Sequence, residues 1–382
     1  MSQEPFGDIP LFRELQRLLS SSGSGPVNLE IAKQVAHAIT TEGGASPAIT
    51  DERRRILHDA VHRAEGVLSG FTRLQLTEPI SSEGISRETW VDRTLVAWRW
   101  LFDRLGGRFL DQLTTQPDEN EPLQQMQLVM KQVGPLLMGL QTGTLVGHLA
   151  KEVLSGSDPS IPRDGERGVL VVLPNVERLT SDYGLDLDVV IRWMAVQETA
   201  RQLVVEGVDW VGPYRRSLMT ELVDAVEIDA DALERRLSDL QTQGLEALQQ
   251  GVPVDNSIPL VSTPRHEAAL ARVRAFVGLH EGYAARATAA VAEGLLGDTT
   301  KIDEVMARYR ASSSDAKDLL ANVLGFSLDR DLVATGETFC AAIEKLEGPN
   351  ELNRVWDAPD NLPTYAELRD PFQWIDRVLR QK

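Results

Sequence analysis

The sequence predicts a mainly α fold with a small β element. Apolar residues recur at helical spacing through most of the chain, those stretches begin and end on helix-capping residues, and runs rich in β-branched residues are scarce. At 382 residues there is room for two domains or for one large helical domain with a substantial core. The division expected is an N-terminal helical region, 1–160, followed by a region 161–382, with one continuous domain as the alternative.

Asp8 followed by Ile9 and Pro10 opens the first helix, because a proline in the first turn removes only an N–H that has no helical partner. Ser20–Ser24 reads as a flexible linker. Asn28 caps the next helix, and Thr50 with Asp51 starts another that runs towards Leu68, with Gly70 as punctuation. Ser86 caps a helix carrying Trp90, Val91, Leu95, Trp98 and Leu101, whose near-helical recurrence points to core packing rather than a cofactor cage. Residues 120–154 make a long apolar helix or a broken pair, with Gly134 and Pro135 as the kink. Within it Gly139, Gly143 and Gly147 fall four apart on one face, which lets another backbone approach closely. Ser155–Pro162 is a turn-rich connector, and Val169–Leu173, between Gly168 and Pro174, is the clearest strand. Gly251–Pro259 is a second connector, and Gly297 ends a helix.

Composition removes several function classes. With 39 basic against 57 acidic residues the net charge is −18, the wrong sign for wrapping nucleic acid or resting on an anionic membrane. The stretch Val133–Ala150 lacks formal charge, but Gln141, Thr142, Thr144 and His148 make it too polar to span a bilayer. A lone Cys340 on an apolar helical face reads as structural rather than nucleophilic. No secretory pattern opens the sequence, so a cytoplasmic location is expected. Nucleophile elbows, phosphate loops, dinucleotide fingerprints and C-x-x-C pairs are absent from the sequence.

The informative stretch is Met194-Ala-Val-Gln-Glu-Thr-Ala-Arg201. Zinc hydrolases of the H-E-x-x-H type put two imidazoles four apart on one helix face, with the intervening glutamate as general base to metal-bound water. Here the histidine positions read Gln197 and Arg201, and the glutamate position reads Glu198. Locally this is also what an ordinary Glu198–Arg201 pair one turn apart looks like.

The rest of the chain adds context. Pro5–Leu15, Gly25–Lys33, Trp90–Trp98, Leu279–Tyr283, Val355–Thr364 and Asp370–Trp374 resemble corresponding stretches of the DUF2342 family, actinobacterial proteins of hydrolase or zinc-dependent metalloprotease type. The resemblance implies a zincin-like helical core. It makes Glu281, in Leu-His-Glu-Gly-Tyr, the third former metal-ligand position and puts His280 and Tyr283 around it. It also suggests, by analogy with zincins, an edge strand at Val169–Leu173 holding extended substrate.

An amide, an arginine and two carboxylates make a poor zinc site, since arginine is permanently cationic and cannot ligate. No cofactor is therefore expected, although the family type uses zinc. Arg201 is expected instead to act as a built-in cation joining Glu198 and Glu281; the alternative turns it outward to solvent. A rival metal pair, His58 and His62, stands four apart, but Arg53, Arg54, Arg55 and Arg63 surround it with positive charge. His280 diverges by about 100° from Glu281 and reads as a residue supporting the ligand positions from behind or as a packing residue.

The leading functional expectation is a scaffold of hydrolase type that has lost its zinc-binding histidines. It would serve as a catalytically inactive binding or regulatory protein for an unidentified protein or peptide ligand. The alternative is an active hydrolase with an atypical site using Glu198 as general base. A third possibility, a purely structural helical scaffold, predicts no cleft at Glu198.

Overall fold

The computed structural model describes residues 25–114, 121–228, 260–261, 263–312, 314, 320–321 and 330–380. The expected helix start at Asp8–Pro10, the Ser20–Ser24 linker and the Gly251–Pro259 connector lie outside these residues.

Side-chain caps begin the first helices as expected. Asn28 Oδ1 accepts from the Ile31 amide at 3.1 Å to open α1 (Leu29–Thr40). Thr50 opens α2 (Asp51–Thr72) and Ser86 opens α3 (Arg87–Ala97) in the same way. Each cap satisfies an otherwise orphaned amide and contributes about 1 kcal/mol. Gly70 does not stop α2, which ends only when Arg73 turns left-handed at φ 60°. A single helical glycine costs only about 1 kcal/mol against alanine, too little to end a well-packed helix.

After α4 (Arg99–Thr114) comes α5 (Glu121–Ala150), one continuous helix through Pro135 rather than a broken pair. Its packing on α1 supplies the reason. The Asn28 amide donates to the Pro135 carbonyl at 2.9 Å, and the glycine stripe lies against α1. A Cβ at Gly139 would sit 2.5 Å from the Asn28 carbonyl oxygen, and one at Gly143 2.5 Å from that of Ala32.

The strand β2 (Val169–Val172) pairs in parallel with β1 (Ser82–Ile85), Ser82 opposite Val169 and Ile85 opposite Val172. Ser-Glu-Gly-Ile carries no strand pattern, so β1 is made by this pairing rather than by propensity. On its other side β2 bonds the connector: Gly156 N donates to Leu170 O and Val172 N to Leu154 O, both at 2.9 Å. The edge-strand expectation is thereby corrected, because both sides of β2 are taken and no open ladder remains there for an extended ligand. Leu173, expected to end the strand, opens α6 (Leu173–Tyr183).

At the centre lies α7 (Leu187–Gly207), buried on nearly every face from Val190 to Val204. It packs on α2, on β2 and on α9 (Pro264–Leu296), which follows α8 (Val211–Asp224) and the two-residue antiparallel strands β3 (Glu227–Ile228) and β4 (Leu260–Val261). Next come α10 (Thr300–Ala311) and α11 (Arg330–Glu347), and α11 lies along α9 where Gly282 meets Gly336. A Cβ on Gly282 would come within 2.2 Å of the Gly336 carbonyl carbon, so this contact needs glycine.

One hydrophobic cluster gathers Trp90, Trp98, Phe276, Trp356 and Trp374; the other gathers Leu57, Leu68, Ile191, Trp193 and Met194. Both draw on residues from either side of position 160. Trp90 and Trp98 meet edge to face at 5.8 Å, as core packing requires. Cys340 is fully buried and burial pushes its thiol up, which suits a structural role. Among the described residues, no helix is long and apolar enough to cross a membrane.

Candidate functional site

Two helices and one connector build the site. α7 supplies Gln197, Glu198 and Arg201, α9 supplies His280 and Glu281, and the connector before β2 supplies Ser155, Ser157 and Ser160. Arg201 is only 4% exposed and Glu281 only 2%, which decides against an outward-turned arginine. Arg201 Nε and Nη2 donate to Glu281 Oε2 at 2.9 and 2.5 Å, and Nη1 donates to Glu198 Oε1. The second Glu281 oxygen accepts from Ser160 Oγ at 2.8 Å. Ser160 adopts φ 45°, an uncommon conformation for a residue with a side chain, at the place where it meets Glu281.

The two carboxylates are not equivalent. Burial, the largest single influence, would raise Glu281, but Arg201, His280 and the Ser160 hydrogen bond together outweigh it and hold the group down at about 2. For Glu198 burial wins over the attraction of Arg201, and its carboxyl is raised. Among the described residues, its Oε2 has no hydrogen-bond partner, and neither has the buried Gln197 Nε2. Arg201 itself would be lowered by burial, but Glu281 and Glu198 more than reverse this. The result is a permanent cation against one firmly ionised glutamate and one that resists ionisation.

His280 plays a packing role. Its ring stacks on Phe276 at 5.9 Å, and Nε2 lies 3.2 Å from the Arg201 carbonyl oxygen, tying α9 to the α7 backbone. Burial lowers it to about 4, so the ring is neutral at pH 7 and Nε2–H is the donor. Tyr283 is turned elsewhere: its hydroxyl donates to Asn353 Oδ1 at 2.7 Å and its ring meets Trp356 at 5.3 Å. It anchors the C-terminal segment rather than the Arg201 cluster. His58 and His62 are exposed on α2, with Ser82 Oγ 3.4 Å from His58 Nδ1. Among the described residues, no group of three or more His, Cys, Asp or Glu side chains is placed to hold a metal ion.

Two cavities adjoin the cluster. One of about 110 Å³ is lined by Gln197, Arg201, Trp193, Met194, Asp158 and Tyr309. Another, of about 270 Å³, shares Trp193 and Gln197 and adds Thr288, Arg310 and Glu337. Gln197 thus faces both, whereas Glu198 is fully buried and lines neither. Sequence reasoning missed Ser160 and the nearby Arg215. The connector reads only as turn-rich, and no pattern marks which of its serines turns inward.

The chain resembles known proteins over most of its length. A crystal structure from Chloroflexus aurantiacus, described as "a putative hydrolase with a novel fold", matches with a TM-score of 0.69 at 24% identity. The match covers 93% of this chain and 100% of that one, and establishes a common fold. No curated protein matches. The profile of the zincin-like metallopeptidases matches residues 27–375, and the chain belongs to that family.

Proposed function

We propose that this chain is a zincin-like scaffold in which Arg201 stands where the family type holds its metal. It serves as a catalytically inactive binding or regulatory protein for a protein or peptide ligand, in the cytoplasm. The observation that carries this reading is the Arg201 guanidinium, buried and bonded to both Glu198 and Glu281. The donor set does not fit zinc. Arginine cannot ligate, Gln197 offers a neutral amide in place of imidazole, and both oxygens of Glu281 are engaged by Arg201 and Ser160. No catalytic step through a metal follows from these residues.

One observation favours the second reading, an active hydrolase using Glu198 as base. Its carboxyl is raised and its Oε2 is unpartnered, as in a group poised to take a proton. Against this, Glu198 is fully buried, and a carboxylate alone lacks the Lewis acid that brings the pKa of water to about 7. Native mass spectrometry of protein purified without chelator tests the first reading. Well under one zinc per chain is expected; near-stoichiometric zinc that disappears in Glu281→Gln but persists in His58→Ala would overturn it.

A further inference from the structure

Beside the 155–162 connector, bordering the Arg201 cluster through Ser157 and Arg215, lies a small pocket of about 60 Å³ lined in part by Ser157, Arg163, Glu166, Gln202 and Arg215. Two guanidinium groups share it, and neither is fully engaged. Arg215, on α8, makes a long hydrogen bond from Nη2 to the Ser160 carbonyl at 3.4 Å. Arg163 donates from Nε to Glu166 and from Nη1 to Thr94 Oγ1 at 2.8 Å, but among the described residues its Nη2 has no partner although the side chain is only 8% exposed. Trp90 and Trp98 hold that guanidinium in place, their ring centroids 5.7 and 5.8 Å from it. A buried donor without an acceptor carries its full desolvation cost. Burial lowers Arg215 only to about 10, so it remains charged at neutral pH.

The charge and size of the pocket narrow what would satisfy it. Two arginines and Glu166 leave one net positive charge, which matches a monoanion and penalises a dianion. The pocket is small, about 60 Å³, and suits a single small anionic group. The unpartnered Arg163 Nη2 and the loosely held Arg215 guanidinium can each donate to a carboxylate oxygen. The Gln202 amide and the Ser157 hydroxyl, 3.4 Å apart in a weak mutual contact, can turn to a better acceptor.

We propose that Arg215 and Arg163 form a binding site for a carboxylate group, carried by a small organic acid or by the C-terminus of a peptide. The proposal does not require the metal-replacement reading of Arg201, although Arg215 feels the charges of Arg201 and Glu281, and the acid titrations test it separately from zinc binding. Titration calorimetry on the full chain, with acetate, N-acetylglycine, N-acetylglycinamide and inorganic phosphate, tests it. Both acids are expected to bind and the amide is not. Acetate matching N-acetylglycine assigns the site to free acids, whereas a clear preference for N-acetylglycine assigns it to a peptide terminus.

Arg215→Gln should weaken the acid at least tenfold, and Gln202→Glu should abolish its binding by adding a like charge. Circular dichroism checks that both variants fold. If Arg215→Gln does not, the acid-against-amide contrast in the parent and the Gln202→Glu result decide. Equal binding of acid and amide, phosphate binding at least as tightly as the acids, or an acid affinity indifferent to either substitution would overturn the proposal.

Discussion

Two donors of Arg201 converge on one oxygen of Glu281, Nε at 2.9 Å and Nη2 at 2.5 Å from Oε2, while Ser160 holds the other oxygen. The pairing joins the two central helices, α7 and α9, through a buried ion pair. Such pairs contribute little over an apolar substitute, but breaking one leaves an uncompensated charge in the interior.

Removing the cation should therefore be costly. Arg201→Ala is expected to lower stability by about 3–5 kcal/mol in urea unfolding, because Glu281 is left buried and unpaired. A loss within about 0.5 kcal/mol, the usual effect of a surface substitution, would mean that the arginine carries no such role.

The two glutamates should respond differently to neutralisation. Glu281 is depressed in the fold to about 2, against about 4.3 in the unfolded chain. Its contribution is complete above about pH 4.3 and is lost as pH falls through about 2. Glu281→Gln should then cost about 3–5 kcal/mol at pH 7, with the gap to the parent closing in acid. Glu198 has the opposite sign, since the fold opposes its ionisation. Glu198→Gln should change stability at pH 7 by no more than about 1 kcal/mol. Urea midpoints measured from pH 7 to pH 3 separate the two; a Glu198→Gln loss as large as that of Glu281→Gln would contradict the assignment.

His280 supplies a second pH window. Its folded value of about 4 lies below the unfolded value of about 6.5, so the unfolded state binds the extra proton between them. Stability should fall as pH drops through that range. His280→Gln, which can keep a donor towards the Arg201 carbonyl, should flatten this slope in the same urea series. An unchanged slope would show that another group titrates there.

Ser160 combines a hydrogen bond with a left-handed backbone. Ser160→Ala should cost about 1–3 kcal/mol, from the Glu281 oxygen it leaves unsatisfied. Ser160→Gly loses the same bond but relieves the backbone, and should be the milder change by about 1 kcal/mol. Thermal unfolding of the two variants checks the order; glycine worse than alanine would refute the backbone argument.

The legible parts of this molecule are those set by local chemistry. Asn28, Thr50 and Ser86 cap helices because their side chains reach amides three residues on, which spacing alone reveals. The stripe of Gly139, Gly143 and Gly147 announces a close helix contact, though not that α1 is the partner. Tertiary choices were hidden. Ser82–Ile85 becomes a strand only because β2 lies beside it, and α5 continues through Pro135 because α1 braces it. At the site, Gln197, Glu198, Arg201 and Glu281 were visible from the motif and the family resemblance together. Ser160 and Arg215 were not, since inward orientation of a loop serine or a helical arginine leaves no mark on periodicity.

If Arg201 occupies the place of a metal, restoring the ligands should restore zinc binding. Gln197→His combined with Arg201→His would present two imidazoles four apart on α7, the second at the position that now meets Glu281. The measurement is the melting temperature of parent and double variant with and without zinc, since a ligand that binds only the folded state stabilises it by about 2.7 kcal/mol at 100 times its Kd. A zinc-dependent rise is expected in the double variant, with the parent left nearly unchanged. A parent that zinc stabilises through Glu281, or a folded double variant blind to zinc, would contradict it.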